Sequence, residues 1–244
     1  VQRMRIDILT LFPEMIEAIL GESIIGRARK KGLIEINCIQ IRDFANNRHR
    51  QVDDYPYGGG TGMVMQPEPI YLAYMSVCGD KKPYTIYKSP QGKTFRQSTA
   101  KRLKKHEHIV ILCGHYEGVD QRILDEICDE EISIGDFVLT GGEIAAAAVV
   151  DATARLLPGV LKSEESFSEE SHYNGLLEYP QYTRPEVWHD RRVPEVLLSG
   201  HHKNICEWKR KMSIENTFFK RRGMLAKAKL TGKERNFVEE LKKK

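Results

Sequence analysis

Gly114-His115-Tyr116-Glu117-Gly118-Val119-Asp120 and Ser133-Ile134-Gly135-Asp136-Phe137-Val138-Leu139-Thr140-Gly141-Gly142-Glu143 lie at the ends of two short apolar runs, Ile109 to Cys113 and Ile132 to Ile134, which read as buried strands. Lys88-Ser89-Pro90-Gln91-Gly92 repeats the arrangement behind a third run, Tyr84 to Tyr87. A loop leaving the carboxyl end of a strand in an open α/β sheet lies where such folds bind ligands, and glycine lets the main chain come close to a bound molecule. One such loop is usually only a turn. Three at comparable positions, with Glu117 and Asp136 embedded, point to a ligand cleft, and a small cofactor held by main-chain atoms is the leading expectation.

Outward from these loops, strand-like and helix-like segments alternate. Arg5 to Thr10 reads as a strand that stops before Phe12-Pro13, where proline suits the first turn of a helix reaching about Lys30. Leu33 to Ile41 is the next strand, Gln66-Pro67 opens a helix, and Thr94 to Lys105 reads as a basic helix. Val119 to Cys128 and the alanine-rich Gly142 to Leu157 complete the helices. This order predicts an α/β fold with a mainly parallel sheet.

Composition changes after Pro158-Gly159. Residues 162–174 are rich in serine and glutamate without periodicity, as a flexible connector is, and the chain from Gly200 onward looks helical. The expected organisation is therefore an α/β domain over 1–161, a linker over 162–174 and a small helical domain over 175–244.

The 244 residues, 41% hydrophobic and 30% charged, suit a globular protein, and the longest apolar stretch, Ile144 to Val150, is far short of the roughly 20 residues of a membrane helix. No signal-peptide core is evident, so no membrane association is expected and the chain reads as cytoplasmic. Five cysteines lie far apart with no C-x-x-C spacing, which argues against a disulfide framework or a zinc site. The net charge of +4 conceals an asymmetry: from Gly200 onward there are 14 Lys and Arg against 5 Asp and Glu, with Trp208, Phe218 and Phe219 interleaved. That pattern suits a polyanion such as RNA, or a solvated helical face with its aromatics turned inward.

Several motifs stay open. Tyr57-Gly58-Gly59-Gly60-Thr61-Gly62-Met63 fails as a phosphate loop, having no Lys-Ser/Thr after Gly62, and fails as a dinucleotide fingerprint; a mobile turn and a loop closing over a ligand both fit it. Arg155 near a helix end is by default structural, and Glu169-Glu170 in the connector reads as solvated charge from composition alone.

Taken together, these segments resemble one family, the bacterial tRNA (guanine-37-N1)-methyltransferases, knotted enzymes of the SPOUT superfamily. The resemblance runs from Met4-Arg5-Ile6-Asp7-Ile8-Leu9-Thr10-Leu11-Phe12-Pro13 through Asp54-Tyr55-Pro56-Tyr57-Gly58-Gly59-Gly60 and the two glycine loops to Gly175-Leu176-Leu177-Glu178-Tyr179-Pro180-Gln181-Tyr182-Thr183-Arg184-Pro185. It implies a deep trefoil knot in the sheet, which periodicity cannot reveal. It also implies S-adenosyl-L-methionine bound by Tyr87, Lys88, Ser89, Pro90 and Gly92, by Gly114, Tyr116, Glu117 and Gly118, and by Ser133, Ile134, Gly135, Asp136, Phe137, Val138, Leu139, Gly141 and Gly142. The implied partners are a second copy of the chain, each active site being built from both, and the anticodon stem-loop of tRNA.

Methyl transfer to guanine N1 needs loss of the N1 proton, so a positioned base must be present. In the family a connector carboxylate acts, within Glu-Asp-Ser followed a few residues later by Gly-Leu-Leu. Here Glu169-Glu170-Ser171 precedes Gly175-Leu176-Leu177, which puts Glu170 at the place of the aspartate. The resemblance further implies that Arg155 stabilises negative charge on guanine O6, that Glu117 is a pocket acid, and that Mg²⁺ takes part. The expected reaction is methylation of guanine 37 in tRNAs that also carry guanine 36. An RNA-binding factor without turnover and a methyltransferase for another nucleoside are the alternatives.

Overall fold

The computed structural model describes residues 3–162 and 170–243, and the chain divides into two units, Val1–Lys162 and Ser163–Lys244. In the first unit the elements follow as β1 (Met4–Thr10), α1 (Pro13–Leu20), α2 (Ser23–Lys30), β2 (Ile34–Gln40), the short β3 (Asp53–Asp54) and β4 (Val64–Met65), α3 (Pro67–Val77), β5 (Tyr84–Thr94), α4 (Gln97–Leu103), β6 (His108–Cys113), α5 (Gln121–Ile127), β7 (Glu130–Ser133) and α6 (Glu143–Ala154). Five strands form one parallel sheet in the order β2-β1-β6-β5-β7, while β3 and β4 pair as a separate antiparallel ribbon.

The side-chain alternation of β6 explains the layers. Ile109, Ile111 and Cys113 enter a core shared with Ile16 and Leu20 of α1, Ile25 of α2, Leu103 of α4 and Ala146 and Val150 of α6. Val110 and Leu112 enter the opposite core, with Ile70 and Tyr74 of α3 and Ile123 and Ile127 of α5. A strand covered on both faces must be apolar throughout, and this is why its sequence shows a continuous run rather than a period of two. Each such aliphatic side chain contributes about 1.5–3 kcal/mol on leaving water.

Two local expectations change. The single helix expected from Phe12-Pro13 to about Lys30 breaks into α1 and α2, because Glu22 is extended and Ser23 has φ +54°. A Cβ on Gly26 would collide with the Gly21 carbonyl oxygen, so the turn is closed to any larger residue there. Arg29 holds the corner by donating to the Glu17 carboxylate at 2.6 Å and to the Ile36 carbonyl at 3.0 Å. The second change is in β5, expected to end at Tyr87 before a loop over Lys88–Gly92, which instead runs on to Thr94. The strand leaves the ladder after Lys88, carries Pro90 where no amide is needed, and rejoins β7 at Lys93 and Thr94. That rejoining is a long-range pairing, which local propensity does not show.

In the second unit, β8 (Val187–Trp188) and β9 (Arg191–Arg192) form a hairpin, followed by α7 (Glu195–Leu198), α8 (His202–Arg221), a 3-10 turn over Arg222–Lys227 and α9 (Gly232–Leu241). Leu176, Ile214, Phe218, Val238 and Leu241 make its core. Thr231 and Glu234 close a reciprocal capping box at the start of α9. Residues 170–178 turn tightly, with the His172 amide donating to the Leu176 carbonyl at 2.8 Å and the Glu178 amide to Ser171 Oγ at 3.0 Å. The rest of the expected linker from 163 on, including Glu169, lies outside the described residues. Among the described residues no helix is long and apolar enough to cross a membrane.

Gly26→Ala is expected to destabilise the protein by about 1–3 kcal/mol through overpacking at the α1–α2 corner. Thermal denaturation checks this, and an unchanged Tm contradicts the assigned close approach.

Candidate active site at the carboxyl edge of the sheet

The chain leaving β5, β6 and β7 encloses a cavity of about 340 Å³, within the size range of small-ligand sites. One wall is Tyr87, Lys88, Ser89, Pro90 and Gln91; a second is Gly114, His115, Tyr116, Glu117 and Gly118; a third is Ser133, Ile134 and the stretch Phe137 to Gly142. Gly92, Gly135 and Asp136 are absent from the wall. Gly92 instead allows β5 to pass the main chain of Glu131 and Ile132 without a clash. Gly135 closes a tight turn, its amide donating to Ser133 Oγ at 3.1 Å and its carbonyl accepting from Ser133 Oγ at 2.8 Å. Glycine spacing alone does not separate a ligand approach from a turn. His115 and Thr140 also line the cavity; they sit inside the glycine motifs but were not singled out by their residue types.

The loops are fastened to one another through the main chain. The Gly142 amide donates to the Gly114 carbonyl at 3.0 Å, and a Cβ on Gly142 would lie 2.7 Å from Cys113 Cα. A Cβ on Gly114 would lie 2.8 Å from the Tyr87 hydroxyl. Beside this junction the fully buried Glu143, in the first turn of α6 where a carboxylate is favoured, accepts from Thr10 Oγ1 at 2.6 Å and bonds His115 Nε2 at 2.7 Å. Thr10 Oγ1 in turn accepts from the Phe12 amide at 2.9 Å. One carboxylate thus ties the end of β1, the loop after β6 and the start of α6.

The glycine-rich stretch from Tyr57 is fixed at one end. Gly58, Gly59, Gly60 and Gly62 all have positive φ and are exposed, but the Met65 amide donates to the Gly118 carbonyl at 2.9 Å and the Glu117 amide to the Met63 carbonyl at 3.0 Å. The exposed part therefore hangs from the rim of the cavity. Tyr116 at the rim has φ +58°, a left-handed backbone rare for an aromatic residue and concentrated at functional sites. Its hydroxyl accepts from Arg42 at 3.2 Å.

Burial sets the protonation of the floor. It pushes the Tyr87 hydroxyl up to about 12 and the Cys113 thiol well above its usual range, and both groups stay neutral near pH 7. It pulls Lys88 down to about 8. Lys88 is 4% exposed and its Nζ has no hydrogen-bond partner, so the protein holds a desolvated ammonium in the cavity wall.

The other two expected catalytic residues lie elsewhere. Arg155 caps the carboxyl end of α6, a helix whose amino end borders the cavity; at 1.5 Å per residue these ends are about 18 Å apart. Glu170 belongs to the second unit, where it lines a cavity of about 210 Å³ together with Tyr179, Lys209 and Arg210. Among the described residues no group of three or more His, Cys, Asp or Glu is placed to hold a metal ion.

The family profile described as tRNA (Guanine-1)-methyltransferase TrmD matches residues 4–227. The chain belongs to this family. Proteins named tRNA (guanine-N(1)-)-methyltransferase resemble it over nearly their full length: that of Ruminiclostridium cellulolyticum is 57% identical over 220 residues, covering 89% of this chain and 94% of its own. That of Alkaliphilus oremlandii is 53% identical, covering 99% and 100%, and that of Fusobacterium nucleatum 54%, covering 98% and 99%. Membership makes the chain a methyltransferase acting on N1 of guanine in tRNA.

Lys88→Met is expected to stabilise the ligand-free protein. The folded-state value near 8 lies below the ordinary 10.5, so below pH 8 the ammonium is charged in both states and carries its full burial cost, on the order of 3 kcal/mol. As pH rises from 8 toward 10.5 the folded protein sheds this proton first, and the advantage of methionine shrinks to nothing. Urea denaturation of variant and parent at pH 7 and pH 10 checks this; a variant less stable at pH 7, or a gain independent of pH, contradicts it.

Proposed function

We propose that the carboxyl-edge cavity binds S-adenosyl-L-methionine and that the enzyme methylates N1 of guanine 37 in tRNAs carrying guanine 36, with Glu170 as general base. The observation that supports the donor assignment is the close junction of Gly114 and Gly142 in the cavity wall, where a Cβ would meet the Tyr87 hydroxyl or Cys113 Cα and only glycine fits. Tyr87, Ser89, Gly114, Ile134, Leu139 and Gly141 would hold the cofactor, by apolar contact and main-chain groups. When bound, it supplies a methyl group on a sulfonium, which leaves as a neutral thioether.

The remaining work falls to the chain. Guanine N1 carries a proton that must depart as the N–CH₃ bond forms, and the Glu170 carboxylate accepts it. Glutamate and aspartate have similar unperturbed values, about 4.3 and 3.9, so the exchange of one for the other keeps the chemistry and alters the reach by one methylene. As N1 becomes electron-rich, charge spreads to O6, where the Arg155 guanidinium donates hydrogen bonds. Arg155 stands about a helix length from the cavity in its own subunit, which supports a homodimer whose partner supplies the arginine. Phe12, Met15, Ile19, Ile24 and Ile144 are each more than a third exposed, an apolar surface suited to a second copy. The proposed trefoil knot rests on the path after β7. This edge strand pairs with β5, yet α6 starts against the end of β6, which is the connection that supports this reading.

Around α8, Lys209, Arg210, Lys211, Lys220, Arg221 and Arg222 supply cations for the phosphates of an anticodon stem-loop, while guanine is turned out of its stack. Phe218 is buried and Phe219 exposed, so the interleaved aromatics divide between core and surface. Among the described residues no Mg²⁺ donor set of His, Cys, Asp or Glu is assembled.

The test is transfer of a labelled methyl group to undermethylated tRNA, followed by mapping of the product. Label is expected at guanine 37. Glu170→Gln is expected to lose single-turnover activity by about 100-fold or more, while Glu169→Gln stays within about twofold. The reverse ranking removes Glu170 from its role, label at another nucleoside overturns the assigned position, and tRNA binding without label supports a factor without turnover.

A further inference from the structure

Every residue from Gln181 to Arg192 is exposed, yet the segment carries regular structure. Val187 pairs with Arg192 and Trp188 with Arg191, the Val193 amide donates to the Glu186 carbonyl at 2.9 Å, and Arg192 pairs with the Glu186 carboxylate at 3.3 Å. His189 and Asp190 connect the strands with φ +46° and +61°, the positive pair that matches the twist of a two-residue hairpin. The ribbon presents Trp188 at 59% exposure, with the His189 ring edge-on at a centroid distance of 4.4 Å. A two-stranded hairpin is marginal alone, and an exposed tryptophan beside arginines is a recognition surface lacking its partner.

The chemistry of that surface favours nucleic acid. An indole face takes any unpaired base by stacking, and guanidinium groups either stack on bases or fork onto phosphates. Arg184, Arg191 and Arg192 outnumber Glu186 and Asp190 on the ribbon, and the same unit carries 14 Lys and Arg against 5 Asp and Glu beyond Gly200. The enzyme's substrate is a polyanion with unpaired bases, which the excess of arginines and the exposed indole both suit. We propose that the Trp188 hairpin is a stacking platform for an unpaired nucleobase of the substrate tRNA, with Arg191 and Arg192 directed to the flanking phosphates. The inference rests on tRNA as substrate and is independent of the donor cavity, of position 37 and of Glu170.

The chain has two tryptophans, so Trp208→Phe leaves Trp188 as the sole indole emitter. Titrating this variant with undermethylated tRNA is expected to quench its emission by more than half, with a midpoint equal to the Kd from filter binding. In the parent background Trp188→Ala is expected to weaken tRNA binding about 5- to 150-fold, the range for losing one stacked base, and Trp188→Phe to stay within about threefold. Saturation by tRNA without quenching overturns the proposal, as does binding by Trp188→Ala within twofold of the parent. Emission that changes with protein concentration in the absence of tRNA, together with a smaller oligomer for Trp188→Ala in sedimentation, also overturns it and assigns the hairpin to a second copy. Methyl transfer to guanine in tRNA by the parent is measured alongside, so a failed hairpin and a failed catalytic reading give different results.

Discussion

The hydrogen bond from the Gly142 amide to the Gly114 carbonyl, backed by the buried Glu143 carboxylate, is the constraint on which the first unit depends. The chain leaving the edge strand β7 docks against the end of β6, and there is room for it only because residue 142 has no side chain. Glu143, one residue on, draws Thr10 and His115 to the same point. A charged group at 2% exposure is costly unless its oxygens are bonded, and here both oxygens have partners, so the node is specified rather than merely filled. The cavity wall includes the loop after β6 and the stretch before α6, two of the three segments that this node holds together.

The same arrangement explains why so many wall positions are glycine. Side chains from β5 and β6 are committed to the two cores, and the loops between them must pass within van der Waals contact of one another. The cavity is lined by Gly114, Gly118, Gly141 and Gly142 together with Tyr87, His115, Tyr116, Glu117 and the Phe137–Leu139 stretch. Lys88 lines the cavity with a buried Nζ that has no hydrogen-bond partner, and the burial that depresses its proton affinity is the burial that shapes the floor.

Much of this was legible in the sequence. The continuous apolar run Ile109 to Cys113 could only be a strand covered on both faces, and the glycines behind it marked the loops that line the cavity. Individual glycines were harder to read, since Gly92 and Gly135 answer to strand approach and turn closure, and only three-dimensional neighbours separate these from ligand contact. The break at Ser23 was hidden because Ser23 to Lys30 is a good helix by itself, and the corner is imposed by packing against Gly21. The return of β5 to β7 at Lys93 was hidden because strand pairing is long-range. Neither the register that brings His115 to Glu143 nor the hairpin at Trp188 has a local signal of comparable strength: the turn residues His189 and Asp190 lack the glycine that usually marks such a turn.

Amide hydrogen exchange of the full-length protein with and without S-adenosylhomocysteine tests the central claim most directly. The account predicts that protection rises at 87–92, 114–118 and 133–142 together, since all three segments line one cavity. Protection confined to another part of the chain, or to one of the three loops while the other two exchange as before, would contradict it.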